Sequence, residues 1–456
     1  MRDILLFAFI AAMLTMGFKR PFLWVLLYIY VDIVAPQKVA WGFLTSLQVS
    51  LIVFLAAFGG YILLDNKQGS RPSVRQGLII MLLLWCGYTT LGAEFQDSAW
   101  EKWDWVWKAL VFAAFLPLTL RTKLRLESAA LIMVLSAATI IIPAGIKTVF
   151  SGGGGYGVLV SLVQENSGLY EGSTLSTVAI TMIPLILWVG RYSSIITERR
   201  IAWAFALALT FAALLTPIGT QTRTGLVCIA ALAVLMMRSV KHKFLFAGMA
   251  AAAVLVAIPF LPAAYTERMS TITDHQSDQS ASTRVAVWQW TLDYVAANPT
   301  GGGFDAYRGN SFTYNTRNVT ELGETQQVEY IEITEESRAY HSAYFEVLGE
   351  QGYFGFAIWL AIHLTGLISM ERIRRRYARF TDEEAVKWRG FATALQHGHV
   401  IYLVGALFIG VGYQPFIFMM VGLEIALATI LRRDKRFETA ETRPWLKDRQ
   451  PAEASA

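Results

Sequence analysis

The sequence predicts an all-α integral membrane protein that crosses the bilayer about 12 or 13 times. Of its 456 residues, 55% are hydrophobic and only 16% are charged, whereas soluble domains carry about 25% charged residues. A chain of this length with so few charges does not have enough polar groups to cover a surface in water. Apolar runs along the whole chain and an alternation of basic loops point to the same fold class.

The apolar runs are long enough to cross a membrane. A transmembrane helix needs about 20 mainly apolar residues, and shorter runs suffice where flanking residues reach the interface. We expect the first two runs, which are short, to form a hairpin that inserts partly. The expected spans are 4–18, 21–35, 46–64, 77–94, 105–120, 126–147, 173–190, 200–217, 223–237, 244–261, 343–370, 393–412 and 415–431.

Lysine and arginine collect in alternate loops, and such loops face the cytoplasm. The intervening loops, 95–104, 148–172 and 262–340, are poor in these residues and are expected to face outward. The net charge of +5 therefore follows from topology, and no nucleic-acid partner is expected. The basic groups are Lys67, Arg71 and Arg75; Arg121, Lys123 and Arg125; Arg191, Arg199 and Arg200; Arg238, Lys241 and Lys243; 372–376; and Arg432, Arg433, Lys435 and Arg436.

The loop 262–340 divides the chain into its expected parts. It carries eleven acidic residues against five arginines and no lysine, and a loop this long is expected to have structure and function of its own. The segment 282–296 has helical spacing of apolar residues, and Asn298-Pro299-Thr300 followed by three glycines ends it. The expected parts are N-terminal membrane helices in 1–261, a periplasmic loop with short helices in 262–341, C-terminal membrane helices in 342–432 with a cytoplasmic loop at about 371–391, and a cytoplasmic tail in 433–456.

Three basic groups stand out on the outward side. Arg223 opens a membrane helix, Arg284 opens the helix of the long loop, and His341 opens the next membrane helix. An arginine at a membrane interface indicates function, because its fork of donors binds phosphate oxygens in pairs. Two arginines beside one histidine would suit a diphosphate.

Each of the three also has a structural interpretation. Arg223 would serve as an interfacial anchor that extends to water. Arg284 would pair with an acidic neighbour on a solvated loop, and His341 would be a hydrogen-bonded interfacial histidine. The functional interpretation depends on the three groups lying close together, which topology alone predicts.

The segments that hold these residues resemble a known family. The sequence TRTGL at 222–226, the sequence TRVAVWQWTLDYVAANPTGGGFDAY at 283–307 and the sequence HSAYFEVLGEQGYFG at 341–355 are similar to segments of the O-antigen ligase and O-antigen polymerase superfamily. The chain most resembles the O-glycosylation ligases that accompany bacterial exosortase systems. The resemblance implies a GT-C-like glycosyltransferase with a large periplasmic loop.

The resemblance also implies an activity and roles for residues. The enzyme would transfer a glycan from an undecaprenyl-diphosphate carrier to a glycan, lipid or protein hydroxyl, with inversion and without a metal or other cofactor. Polymerisation of a polysaccharide and O-glycosylation of a protein are the alternatives. Arg223 and Arg284 would contact the diphosphate, and His341 would be catalytic. The accessory candidates are Lys108, Trp288, Tyr344 and Glu346.

A transporter or flippase with a similar number of helices is the competing class of protein. Such a protein is expected to carry internal repeats and ionisable groups near the middle of broken membrane helices. The apolar segments here are interpreted as nearly free of such groups. This favours chemistry at the periplasmic face of the bacterial inner membrane.

Overall fold

The computed structural model describes residues 2–150, 168–238, 242–245, 248, 279–322 and 325–433. Its helices, in chain order, are α1 (Arg2–Gly17), α2 (Phe22–Val34), α3 (Pro36–Val39), α4 (Val49–Leu63), α5 (Val74–Leu91), α6 (Gln96–Thr119), α7 (Lys123–Phe150), α8 (Gly172–Tyr192), α9 (Arg199–Gly219), α10 (Arg223–Met237), α11 (Gln279–Ala297), α12 (Ala343–Tyr377), α13 (Glu383–Gly405) and α14 (Pro415–Leu431). Two strands, β1 (Ser311–Leu322) and β2 (Thr325–Glu336), lie between α11 and α12.

The predicted fold class is confirmed. Within the described residues, five helices (α5, α7, α8, α9 and α12) are long and apolar enough to cross a membrane, and four shorter apolar helices (α2, α4, α10 and α14) accompany them. The helix α8 is almost entirely buried, because α7, α9, α10 and α13 pack against it. The expected span 244–261 falls almost wholly outside the described residues.

Ion pairs join the predicted cytoplasmic segments at one end of the bundle. Asp65, after α4, pairs with Arg121 at 3.1 Å and with Arg125 at 2.6 Å. At the end of α12, Glu371 pairs with Arg238 at 2.9 Å. These contacts agree with the expectation that the basic loops share one side. We call this side the basic end.

The long loop contains a pair of strands that sequence analysis missed. The strands run antiparallel, with Ser311 opposite Glu336 and Leu322 opposite Thr325. From the sequence we predict short helices in this loop and no strands. The stretch 325–334 is rich in Thr, Val, Tyr and Ile, which favour strands, and this signal was overlooked. The predicted helix is present as α11.

The helix α12 has a break at its first third, and the turn that follows α11 binds there. Gly352 has φ 63°, and the amide of Tyr353 donates to the carbonyl of Pro299 at 3.0 Å. A Cβ at Gly301 would lie 2.5 Å from the Glu350 carbonyl oxygen. Only glycine fits so close an approach. The break therefore fixes the position of the first two turns of α12.

The interpretation that the membrane segments are nearly free of ionisable groups is wrong for the C-terminal helices. Glu424 on α14 is fully buried and accepts from Arg75 on α5 at 2.7 Å. Its other oxygen lies 2.7 Å from His399 on α13, which in turn lies 2.8 Å from His363 on α12. The sequence shows Glu424 between apolar residues, but its partners lie far away along the chain. The cluster links four helices.

We predict that Glu424→Gln destabilises the protein by about 3–5 kcal/mol, because it leaves the buried charge of Arg75 without a counter-charge. The measurement is thermal unfolding of the purified protein in detergent. Glu384→Gln, which removes an exposed partner of Lys123, is the control and is expected to cost about 1 kcal/mol or less. Equal unfolding midpoints for the two variants would contradict the prediction.

Candidate functional site

A cavity of about 850 Å³ opens at the end of the bundle opposite the basic end. Its walls come from the segments 168–174, 222–224, 305–307, 339–341 and 408–414 and from the outer turns of α6, α11 and α12. These segments belong to loops, or lie next to loops, that the sequence predicts to face outward. Arg223, Arg284 and His341 all line this cavity, so the structure brings together the three basic groups that topology predicted to share one face.

A hydroxyl cluster beneath the cavity positions Arg223. The side-chain oxygens of Ser176 and Thr220 lie 2.6 Å apart, and Thr222 donates to Ser176 at 2.9 Å. Gln221 between them takes a left-handed backbone with φ 51°. The cluster is buried and ties the start of α10 to α8. Arg223, the first residue of α10, is therefore fixed at the cavity wall.

His341 occupies a restrained backbone position immediately before α12. Its φ is 48°, which is uncommon for a residue with a side chain and costs about 1–3 kcal/mol. The surroundings hold it there, since Trp288 Nε1 donates to the carbonyl of Tyr340 at 2.9 Å. On the other side, the amide of Ala343 donates to the carbonyl of Ala406 at 2.8 Å. The imidazole is half-buried.

The electrostatic surroundings favour a neutral His341. Burial lowers the pKa of His341 from its usual 6.5, and the positive charges of Arg284 and Arg338 lower it further, while Glu171 acts in the opposite direction. A lowered pKa leaves the imidazole without its extra proton at neutral pH. His341 is therefore able to accept a proton there.

A lysine surrounded by carboxylates forms the other side of the cavity. Lys102 Nζ lies 2.7 Å from Glu346 and 2.7 Å from Glu350, and Asp305 is 3.7 Å away. The amide of Asp305 donates to Glu350 at 3.0 Å, and the amide of Gly412 donates to Glu346 at 2.8 Å. The cluster ties α6 to α12 and to the two loops that close the cavity.

Of the residues in this lysine cluster, only Glu346 is predicted from the sequence as a site residue. Within the segment WEKWDWVWK at 100–108, the predicted accessory cation is Lys108. Lys108 instead pairs with Asp104 at 2.9 Å and is absent from the described cavity lining. Lys102 lies in the outward loop 95–104, but its partners follow more than 200 positions later, so no local pattern marks it.

Of the remaining accessory candidates, two pack behind the cavity and one lines it. Trp288 stacks on Phe345 with ring centroids 4.9 Å apart. Tyr344 donates to the carbonyl of Leu403 at 3.1 Å. Both side chains pack in the wall behind the cavity, and neither lines it. Glu346 does line the cavity, as a partner of Lys102.

The cavity has two chemically different sides. Arg223, Arg284 and His341 form what we call the arginine side, which suits an anion with several oxygens. The acidic side combines Lys102 with three carboxylates, so its formal charge is negative when all groups are ionised. Burial and nearby acids raise the pKa of Tyr340 and of Tyr307, so both phenols keep their protons. A ligand with a negative end and a hydroxyl-rich end would match this arrangement.

Comparison with known protein families agrees with this geometry. Residues 208–360 match a family model described as O-Antigen ligase, and residues 1–194 match a family of unknown function (DUF5935). The first match contains Arg223, Arg284 and His341, whereas Lys102 lies in the second. No curated protein matches the chain. Residues 208–360 of this multi-pass membrane protein are therefore similar to the O-antigen ligase family.

Proposed function

We propose that the protein transfers a glycan from an undecaprenyl-diphosphate carrier to an acceptor hydroxyl. The observation that carries the proposal is that Arg223, Arg284 and His341, from three distant parts of the sequence, line one cavity. Two guanidinium groups would neutralise the diphosphate, and the neutral imidazole beside them would serve as a base. The similarity of this region to the O-antigen ligase family supports the same chemistry.

The transfer needs one bond to form and one to break. The acceptor oxygen attacks the anomeric carbon of the donor sugar, and the electron pair of the carbon–oxygen bond leaves with the diphosphate. His341 takes the proton of the attacking hydroxyl as general base. Arg223 and Arg284 stabilise the negative charge that develops on the diphosphate, so the step requires no metal ion. Attack opposite the leaving group inverts the anomeric centre.

The acidic side would hold the acceptor. Carboxylates accept hydrogen bonds from sugar hydroxyls, and Lys102 keeps those of Glu346 and Glu350 in place. The backbone amide of Asp305 donates to Glu350, so the loop after α11 is tied to this cluster. An acceptor on the acidic side and a diphosphate on the arginine side would meet near His341.

The cellular setting belongs to the same proposal. The basic end carries the loops that face the cytoplasm under the positive-inside rule, so the cavity would open to the periplasm from a bacterial inner membrane. A lipid-linked sugar, a growing polysaccharide and a protein hydroxyl are the three candidate acceptors, and they distinguish ligase, polymerase and protein O-glycosylation activity. The resemblance to the ligases of exosortase systems stays a prediction.

We predict that removing any member of the arginine side impairs transfer. His341→Ala is expected to lower the rate by about 10²–10⁴-fold, since it removes a general base. Arg223→Gln and Arg284→Gln are each expected to lower it by about 10²–10³-fold, as for the loss of one charge-stabilising donor. The measurement is formation of a glycosidic bond in membranes supplied with a labelled undecaprenyl-diphosphate glycan and an acceptor extract.

Arg199→Gln is the matched control for this experiment. Arg199 opens α9 at the basic end as Arg223 opens α10 at the cavity, and the variant is expected to transfer at the parental rate. Full transfer by the three cavity variants, at normal levels of inserted protein, would refute the assigned site. Translocation of the carrier lipid without a new glycosidic bond would favour a transporter instead.

We also predict the pH dependence of transfer. Because His341 must be neutral to accept a proton and its pKa is lowered, activity should fall with acid only below the usual histidine pKa of about 6.5. Arg338→Gln removes a positive charge near His341, so the pKa of His341 rises. The acid limb of the pH–activity profile then moves to higher pH. The measurement is kcat/KM against pH, which reports groups of the free enzyme.

Arg308→Gln is the control for the pH profile. Arg308 is exposed on the same loop and does not contribute to the lowered pKa of His341. The acid limb of the Arg308→Gln profile should therefore match that of the parent protein. An acid limb above pH about 6.5 in the parent protein, or no upward movement in Arg338→Gln, would rule out His341 as the base.

A further inference from the structure

A second cavity lies at the basic end, between the start of α5 and the ends of α12 and α14. Its volume is about 430 Å³. Four arginines line it, and its described lining includes no aspartate or glutamate. The arginines are Arg75, Arg372, Arg376 and Arg432. The cavity therefore suits an anion.

Arg75 is the cavity residue whose side chain is buried and held in place. Its side chain is about nine-tenths buried, and one nitrogen donates to Glu424 at 2.7 Å. The other two nitrogens, Nε and Nη1, are buried without a hydrogen-bond partner among the described residues. Leaving buried donors unsatisfied costs about 1–3 kcal/mol each, so an oxygen-rich ligand in the cavity would offset an existing cost.

The rest of the lining combines two kinds of surface. Hydroxyl groups come from Ser73 and Ser369, and apolar surface comes from Leu78, Ile425 and Leu431. The arginines lie where the apolar helices α12 and α14 end, which is the level of the lipid head groups. A ligand with a phosphate group and hydrocarbon chains satisfies both kinds of surface.

We propose that this cavity binds the head group of an anionic phospholipid. Its phosphate would contact Arg75 and the surrounding arginines, and its acyl chains would lie along the apolar side of α14. Basic pockets between membrane helices on the cytoplasmic side are suited to such head groups. The proposal does not depend on the transfer activity, because the cavity lies at the opposite end of the bundle from His341.

The test measures lipid retained by the purified full-length protein. The protein is incubated in detergent with phosphatidylglycerol or phosphatidylcholine, and bound lipid is counted by native mass spectrometry. The double variant Arg372→Gln/Arg432→Gln is expected to bind phosphatidylglycerol on the order of thirty-fold more weakly, from about 1 kcal/mol for each arginine. Arg75 is left intact, because its removal would leave Glu424 unpaired.

The matched control is Arg375→Gln/Arg433→Gln. It removes the same charge from neighbouring positions that are exposed and do not line the cavity, and it should bind phosphatidylglycerol as the parent does. Equal binding of the two lipids by the parent, or equal loss in both double variants, would overturn the proposal. Displacement of phosphatidylglycerol by millimolar inorganic phosphate would also overturn it, because a soluble anion would then be the ligand.

Discussion

The contact between Lys102 and the carboxylates of Glu346 and Glu350 determines how the outer end of the bundle is assembled. A carboxylate removed from water is costly unless a counter-charge and hydrogen bonds compensate it. Lys102 supplies the charge to both glutamates at 2.7 Å, and backbone amides of two loops supply further hydrogen bonds. The cluster thus fixes α6, the first turns of α12 and the loops around Asp305 and Gly412 in one arrangement, and these elements form one wall of the main cavity.

The opposite wall is assembled by different means, and the difference gives the cavity its two sides. Buried hydroxyl groups tie the start of α10 to α8 and carry Arg223, while a restrained backbone at His341 is held by Trp288 through the carbonyl of Tyr340. One wall therefore carries Arg223, Arg284 and His341 with Glu171 nearby, and the other carries Lys102 with three carboxylates. A donor that bears a diphosphate and an acceptor that bears hydroxyl groups are complementary to such a division. Arg284 lowers the pKa of His341 on the same wall, and under the proposal it would also supply positive charge for the diphosphate.

The sequence was sufficient to predict the membrane fold and the shared location of Arg223, Arg284 and His341. Arg223 begins α10, Arg284 lies in the second turn of α11 and His341 immediately precedes α12. All three are on the side that lacks basic loops, so a count of crossings placed them together. The sequence was insufficient to predict the roles of Lys102 and Glu424. The role of a buried charge depends on its partners, and these lie far away along the chain. The strands β1 and β2 carried a compositional signal that their acidic residues obscured. Such long-range pairings are set by packing, which local patterns do not report.

The most direct measurement is a structure of the protein bound to undecaprenyl diphosphate, determined by electron cryomicroscopy in a lipid nanodisc. If the main cavity is the donor site, the two phosphates will lie within about 3 Å of the guanidinium nitrogens of Arg223 and Arg284, with His341 beside the position that the sugar would occupy. Diphosphate bound on the acidic side with Lys102, at the basic end, or outside both cavities would contradict the account.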